Sequence, residues 1–145
     1  ADAPARKVLP RLLQRDGKRL RRVVKDIGGA EDSAQHDAAL HEARKKAKRL
    51  RYAAESARPA LGKRAKQLAA AAKDVQQALG QHQDSVVARQ RLREYGVKAY
   101  ADGENGFSFG RLHALEQQHA REAEQEFRAA WKALSGGKLH HLLRR

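Results

Sequence analysis

Two runs of cations at helical spacing carry most of the chemistry available to this sequence. Arg11, Arg15, Lys18, Arg22 and Lys25 recur every three or four residues. At 100° per residue they fall within about 80° of one another, with no acid between them. The second run is His41, Arg44, Lys45, Lys48, Arg51 and Tyr52, flanked by Arg49. Arginine offers a planar fork of donors suited to phosphate oxygens, and lysine a mobile point charge. His41 adds a donor, stronger when protonated. A lone helical histidine also serves ordinary structural hydrogen bonding. Tyr52 either donates to phosphate or packs at a bundle edge, and packing is the simpler expectation. Like charges at i,i+4 repel by about 0.2–0.5 kcal/mol per pair, and surface helices commonly relieve this with glutamates. Neither stripe is expected to have such relief, since Glu42 and Lys46 point elsewhere. Cations in line and uncompensated suit a linear polyanion better than a solvated face.

Helices must position these runs. Leu9, Leu13, Leu20, Val23, Val24 and Ile27 form the apolar face opposite the first stripe, predicting a helix from about Leu9 to Ile27. Pro10 sits in its first turn and Gly28-Gly29 ends it. A loop over residues 30–35 leads into a second helix, from about Ser33 to Arg58, broken at Pro59. Its seam is Leu40, Ala43, Ala47, Leu50, Ala54 and Ala57, small enough for a neighbour to approach closely. A third helix is expected from about Leu61 to Leu79, stopping at Gly80. Leu68, Ala72, Val75 and Leu79 face its core, and Lys63, Lys66 and Lys73 face outward with Gln67 and Gln77. A fourth starts near Gln83 or Asp84, with Asp84 as N-cap or as an ion-pair partner for a stripe arginine. It ends by Gly96, and Arg89 and Arg93 extend the basic surface. Residues 101–110 read as a loop with three glycines. A fifth helix covers about Arg111 to Leu134. It mixes a seam of Leu112, Leu115, Phe127, Trp131 and Leu134 with solvated glutamates. Ser135-Gly136-Gly137 then separates a basic tail, Lys138 to Arg145. No strand alternation appears, so the fold class is all-α, an antiparallel bundle of four to five helices in one domain.

Composition narrows the function classes. The 145 residues carry 31 Lys and Arg against 17 Asp and Glu, a net charge of +14. Residues 1–66 hold 19 basic and 8 acidic side chains, a net of +11, and residues 67–145 hold 12 and 9, a net of +3. Charge concentrated in one half points to nucleic acid, polyphosphate, an acidic polysaccharide or an anionic membrane. No apolar run is long enough for a membrane span. Zero cysteines exclude disulfides and thiol chemistry, which is compatible with a cytoplasmic location. The start, Ala1-Asp2-Ala3-Pro4, lacks a methionine and an apolar leader, as in a processed or excised fragment.

Residues 41–52, His-Glu-Ala-Arg-Lys-Lys-Ala-Lys-Arg-Leu-Arg-Tyr, closely resemble the signature of the CHAD domain family (conserved histidine α-helical domain). Ala53-Ala54-Glu55 continues it. Leu79-Gly80 followed by Gln83-Asp84-Ser85-Val86-Val87-Ala88 resembles a second landmark. Gly110 with Ala129-Ala130-Trp131 resembles the last. The likeness spans roughly Leu9 to Leu134. It implies a bundle of two helical repeats and binding of inorganic polyphosphate, with association to polyphosphate granules. By position, His41, Arg44, Lys45, Lys48, Arg49, Arg51 and Tyr52 are the implied binding residues. Family members carry the signature helix twice and this chain carries it once, so it resembles the C-terminal half. An apolar face is then expected to stand exposed, for the N-terminal half or a second copy to cover.

A non-enzymatic polyphosphate-binding module is therefore the leading expectation. It has no catalytic residues, cofactor or metal, and both stripes are included in the binding surface. A nucleic-acid-binding or protein-interaction module is the alternative. No helix-turn-helix register, zinc spacing or aromatic stacking motif favours nucleic acid. An enzyme finds little support, since Glu116-x-x-His119 is a lone match to the paired motif of di-metal bundles. A membrane-surface helix lacks tryptophan anchors on the basic segments.

Overall fold

A computed structural model describes residues 2–136, with side chains from Lys7 onward; the basic tail expected at Lys138–Arg145 lies outside the described residues. Four helices follow one another: α1 (Asp2–Ile27), α2 (Ser33–Leu61), α3 (Lys63–Ala101) and α4 (Phe107–Ser135). The described residues contain no strand, and the fold is all-α.

Local chemistry sets the boundaries. Asp32 has an extended backbone, and its Oδ1 accepts from the Gln35 amide at 2.8 Å. Gln35 Oε1 in turn accepts from the Glu31 amide at 2.9 Å. Two orphan donors at the start of α2 are thus satisfied reciprocally. At the far end Gly62 takes φ 66°, a conformation that suits only glycine well, and donates its amide to the Arg58 carbonyl. That reversal folds α3 back along α2.

Several expected boundaries are corrected. α1 starts at Asp2, so Pro10 lies inside it and withdraws one helical hydrogen bond there. Pro59 forfeits one helical hydrogen bond, to the Glu55 carbonyl, but does not break α2, which runs on to Leu61. Gly80 does not stop a helix either. The expected third and fourth helices are one helix of 39 residues, about 58 Å long at 1.5 Å per residue. A helical glycine costs about 1 kcal/mol relative to alanine. Buried Val75, Ala78, Leu79, His82 and Ser85 on both sides of Gly80 outweigh that cost. Asp84 is consequently an exposed residue within α3 and caps nothing. The loop shrinks to residues 102–106, where Gly103 has φ 79° and Asn105 Oδ1 accepts from the Phe107 amide. Gly110 falls in the first turn of α4 rather than opening it.

The helices pack in chain order, α1 on α2, α2 on α3 and α3 on α4, with no other close approach of helix backbones among the described residues. Every residue of the expected α2 seam is buried, as are Leu13, Leu20 and Ile27 of α1 and Leu68, Ala72, Val75 and Leu79 of α3. Phe127 and Leu134 of α4 join the same core, and Trp131 packs at its edge. Leu112 and Leu115, expected in that seam, are instead exposed, at 48% and 56%. The reason is length. Asp37, near the start of α2, lies beside His82 and Arg89. Past Arg89, α3 has only α4 next to it. This hairpin arm also exposes Val97, Tyr100 and Phe107. Residues 84–116 carry five cations and five carboxylates, so the arm is neutral in a chain of net charge +14.

A methyl group added at Gly80 would meet Arg44 Nε at 3.5 Å, an ordinary contact. Gly80→Ala is therefore expected to stabilise the chain by about 0.5–1 kcal/mol in urea unfolding. Destabilisation would contradict a continuous α3.

Candidate anion-binding groove

Small residues bring α2 and α3 together. Ala43, Ala47, Ala54 and Ala57 of α2 share a core with Ala65, Ala69 and Ala72 of α3. Along one edge of this contact, cations of α2 lean onto α3. The Arg44 guanidinium lies over Gly80 of α3. Arg51 donates from Nη1 to Gln76 Oε1 at 3.1 Å and from Nε to Glu55 Oε1 at 2.9 Å. Lys48 stands between them along the stripe, exposed, with Nζ 5.9 Å from the centroid of the Tyr52 ring. Arg51 Cζ is 5.5 Å from the same ring. Tyr52 is 49% exposed, so it belongs to the surface and not, as expected, to the bundle edge. There it steadies two cations through the face of its ring. His41 is half-buried at the head of the stripe, and its Nδ1 is buried with no hydrogen-bond partner among the described residues. Arg49 is exposed to one side.

Relief of the α2 charges is greater than expected. Glu42 pairs with Lys45 at 3.5 Å and with Lys46 at 3.7 Å, and Glu55 pairs with Arg51. Exposed pairs of this kind are worth about 0–1 kcal/mol, so an incoming phosphate can displace them. Arg44, Lys48 and Arg49 have no carboxylate partner among the described residues. The α1 stripe is different. Arg11, Arg15, Lys18, Arg22 and Lys25 are all exposed or half-exposed and unpaired with any described carboxylate. α1 packs only on α2, so the structure does not bring these five into the groove with α3.

A second polar cluster was not legible as one in the sequence. Where the start of α2, the middle of α3 and α4 meet, Asp37 Oδ1 lies 3.6 Å from His82 Nε2, and its Oδ2 lies 3.6 Å from Arg89 Nη2. Arg89 is thus drawn inward and does not extend the basic surface as expected. Beside it, His36 Nε2 and Glu124 Oε1 are 2.6 Å apart, and Arg128 donates to Glu124 Oε2 at 2.8 Å. Burial holds His82 below its ordinary pKa, against the opposing pull of Asp37 and Glu124. Burial also pushes the Glu124 carboxyl up, but hydrogen bonds from His36 and Arg128 prevail and leave it lowered. The cluster ties the start of α2 to α3 and α4. Glu116 and His119, the lone metal-like pair, sit 3.5 Å apart. No group of three His, Asp or Glu side chains among the described residues is placed to hold a metal ion. No helix among them is long and apolar enough to cross a membrane.

Comparison with known proteins places these features in context. The model of the CHAD domain family matches residues 1–93, which include all of α1 and α2 and most of α3. The uncharacterized proteins MT2285 and Rv2226, from two strains of Mycobacterium tuberculosis, are each 37% identical over 120 residues. That alignment covers 81% of this chain and 22% of either relative, so the chain spans about a fifth of their length. No solved structure matches the chain.

The buried cluster makes stability depend on pH. The fold lowers the His82 pKa, by burial, below the ordinary value of 6.5 that holds in the unfolded chain. Stability is therefore full above that value and falls as pH drops below it. The lowered Glu124 adds a loss of the same sign at more acid pH. Urea unfolding is expected to show a lower free energy at pH 5.5 than at pH 7.5, with a flatter slope in His82→Gln. Equal stability at both pH values would contradict this.

Proposed function

The chain belongs to the CHAD domain family, and from that premise we propose that it is a non-enzymatic module that binds inorganic polyphosphate along the groove between α2 and α3. The observation that carries this reading is the line of Arg44, Lys48 and Arg51 beside α3, over Gly80 and against Gln76. These groups lie on one helix edge at intervals of three and four residues, so a flexible phosphate chain can meet them in succession. His41 heads the line, while Lys45, Arg49 and Tyr52 border it. Polyphosphate has no bases, and the groove offers cations, an amide and a ring but no array of base-edge readers. Release of condensed counterions drives such binding, which makes it steeply sensitive to salt. The outward α1 stripe contributes longer-range attraction. In a cell, this affinity would place the protein at polyphosphate granules.

The hairpin arm supports the second part of the proposal. It exposes Val97, Tyr100, Phe107, Leu112 and Leu115 and carries no net charge. Such a surface suits another helical bundle better than it suits a polyanion. We assign it to packing against a second half-domain or a second copy of the chain.

Calorimetry with long-chain polyphosphate across a salt series tests the binding site. Arg44→Glu/Lys45→Glu/Lys48→Glu, shown helical by circular dichroism, is expected to abolish binding. Duplex DNA at equal phosphate concentration is expected to compete weakly. An unchanged affinity in the variant would refute the groove, and equal competition by DNA would refute the choice of polyanion.

A further inference from the structure

The edge of α2 that holds Arg44, Lys48 and Arg51 does not end with the family signature. The same three-four spacing continues to Glu55 and Arg58. On α3 the facing edge runs in the opposite direction, through Gly80, Gln76, Lys73, Ala69 and Lys66. The two edges are in register, as Arg44 lies over Gly80 and Arg51 bonds Gln76. Beyond these contacts the groove opens into a cavity of about 410 Å³ lined by Glu55, Arg58, Lys66, Ala69, Ala70 and Lys73. Arg58, Lys66 and Lys73 are all exposed, and none of the three pairs with a carboxylate among the described residues. The floor is alanine, so nothing on α3 blocks an anion from reaching all three. The one carboxylate, Glu55, is turned toward Arg51 at 2.9 Å and stands between the signature cations and the cavity.

We infer that Arg58, Lys66 and Lys73 form a second anion subsite, which takes the far segment of a phosphate chain already held by Arg44, Lys48 and Arg51. This rests on the polyphosphate reading above and extends it to residues of α3. From Arg44 to Arg58 the two subsites together span fourteen residues, about 21 Å along the helix. Three phosphates are too short to occupy both subsites, whereas a long chain reaches across. Glu55 then lies beside the path of the chain and repels it. The site thereby favours chains long enough for the cations on either side to offset that repulsion.

Calorimetry with long-chain polyphosphate and with tripolyphosphate tests this on the intact chain. Arg58→Gln/Lys66→Gln/Lys73→Gln is expected to make the salt dependence of long-chain binding shallower by about 2, because each substitution removes one cation that neutralises a phosphate. With tripolyphosphate, the number of bound ligands is expected to fall from two to one. Arg91→Gln/Lys98→Gln/Arg111→Gln on the neutral arm removes the same charge and is expected to leave both readouts unchanged. Glu55→Gln is expected to bind long chains more tightly. Circular dichroism and thermal unfolding establish that each variant is folded. If the wild-type chain binds polyphosphate and the α3 variant keeps its slope and stoichiometry, the subsite is refuted and the signature groove stands. If the arm variant weakens binding as much as the α3 variant, bulk charge explains the effect and the subsite is refuted. If the wild-type chain binds neither ligand, both readings fail together.

Discussion

How closely α2 and α3 approach decides what the cations of this protein can do. Alanine fills the interface at Ala43, Ala47, Ala54 and Ala57 on one helix and at Ala65, Ala69 and Ala72 on the other. With leucine at these positions the helices would stand farther apart, and Arg44 and Arg51 would project from α2 alone. Instead Arg44 reaches the bare backbone at Gly80 and Arg51 reaches Gln76. Two flanks of one groove result, and a stripe on one helix becomes a lined track. Leu40, Leu50, Leu68 and Leu79, all buried, supply most of the apolar burial that small alanines cannot. At about 1.5–3 kcal/mol per buried leucine, these positions stabilise an assembly whose own surface charges repel.

Specific pairings offset that repulsion only locally. Glu42 and Glu55 pair with cations of α2 but contribute little in water. The buried cluster at the other end of α2 has a different job. Asp37 there faces both His82 and Arg89, and His36 bonds Glu124. These interactions join three helices at the start of α2, away from its cationic edge. Tethering and cationic charge lie on separate parts of the same helix.

Much of this was legible in the sequence. The α2 seam and the cationic edge followed from 3.6-residue periodicity, because both lie on one unbroken helix. The core faces of α1 and of the first part of α3 followed in the same way. Reading failed where a local signal competed with packing. Gly80 looks like a helix stop, yet it lies within a helix held on both sides by buried residues. Pro59 looks like a break, yet α2 continues past it to Leu61 at the cost of one backbone hydrogen bond. Arg89 looked like surface charge because its partner, Asp37, lies 52 residues away in sequence. The bond between His36 and Glu124 spans 88 residues and leaves no local trace. Leu112 and Leu115 carry the spacing of a core face, and only the length of α3 reveals that nothing in the described structure covers them.

Chemical-shift mapping by NMR during titration with polyphosphate tests the central claim most directly, because it reports where on the molecule the anion lies. The Gly80 and Gln76 amides and the guanidinium signals of Arg44 and Arg51 should move first and farthest, with smaller shifts along the rest of the α2 edge. If the largest shifts instead fall on Arg11 to Lys25 of α1, or on the hairpin arm near Tyr100 and Phe107, the groove between α2 and α3 is not the binding site.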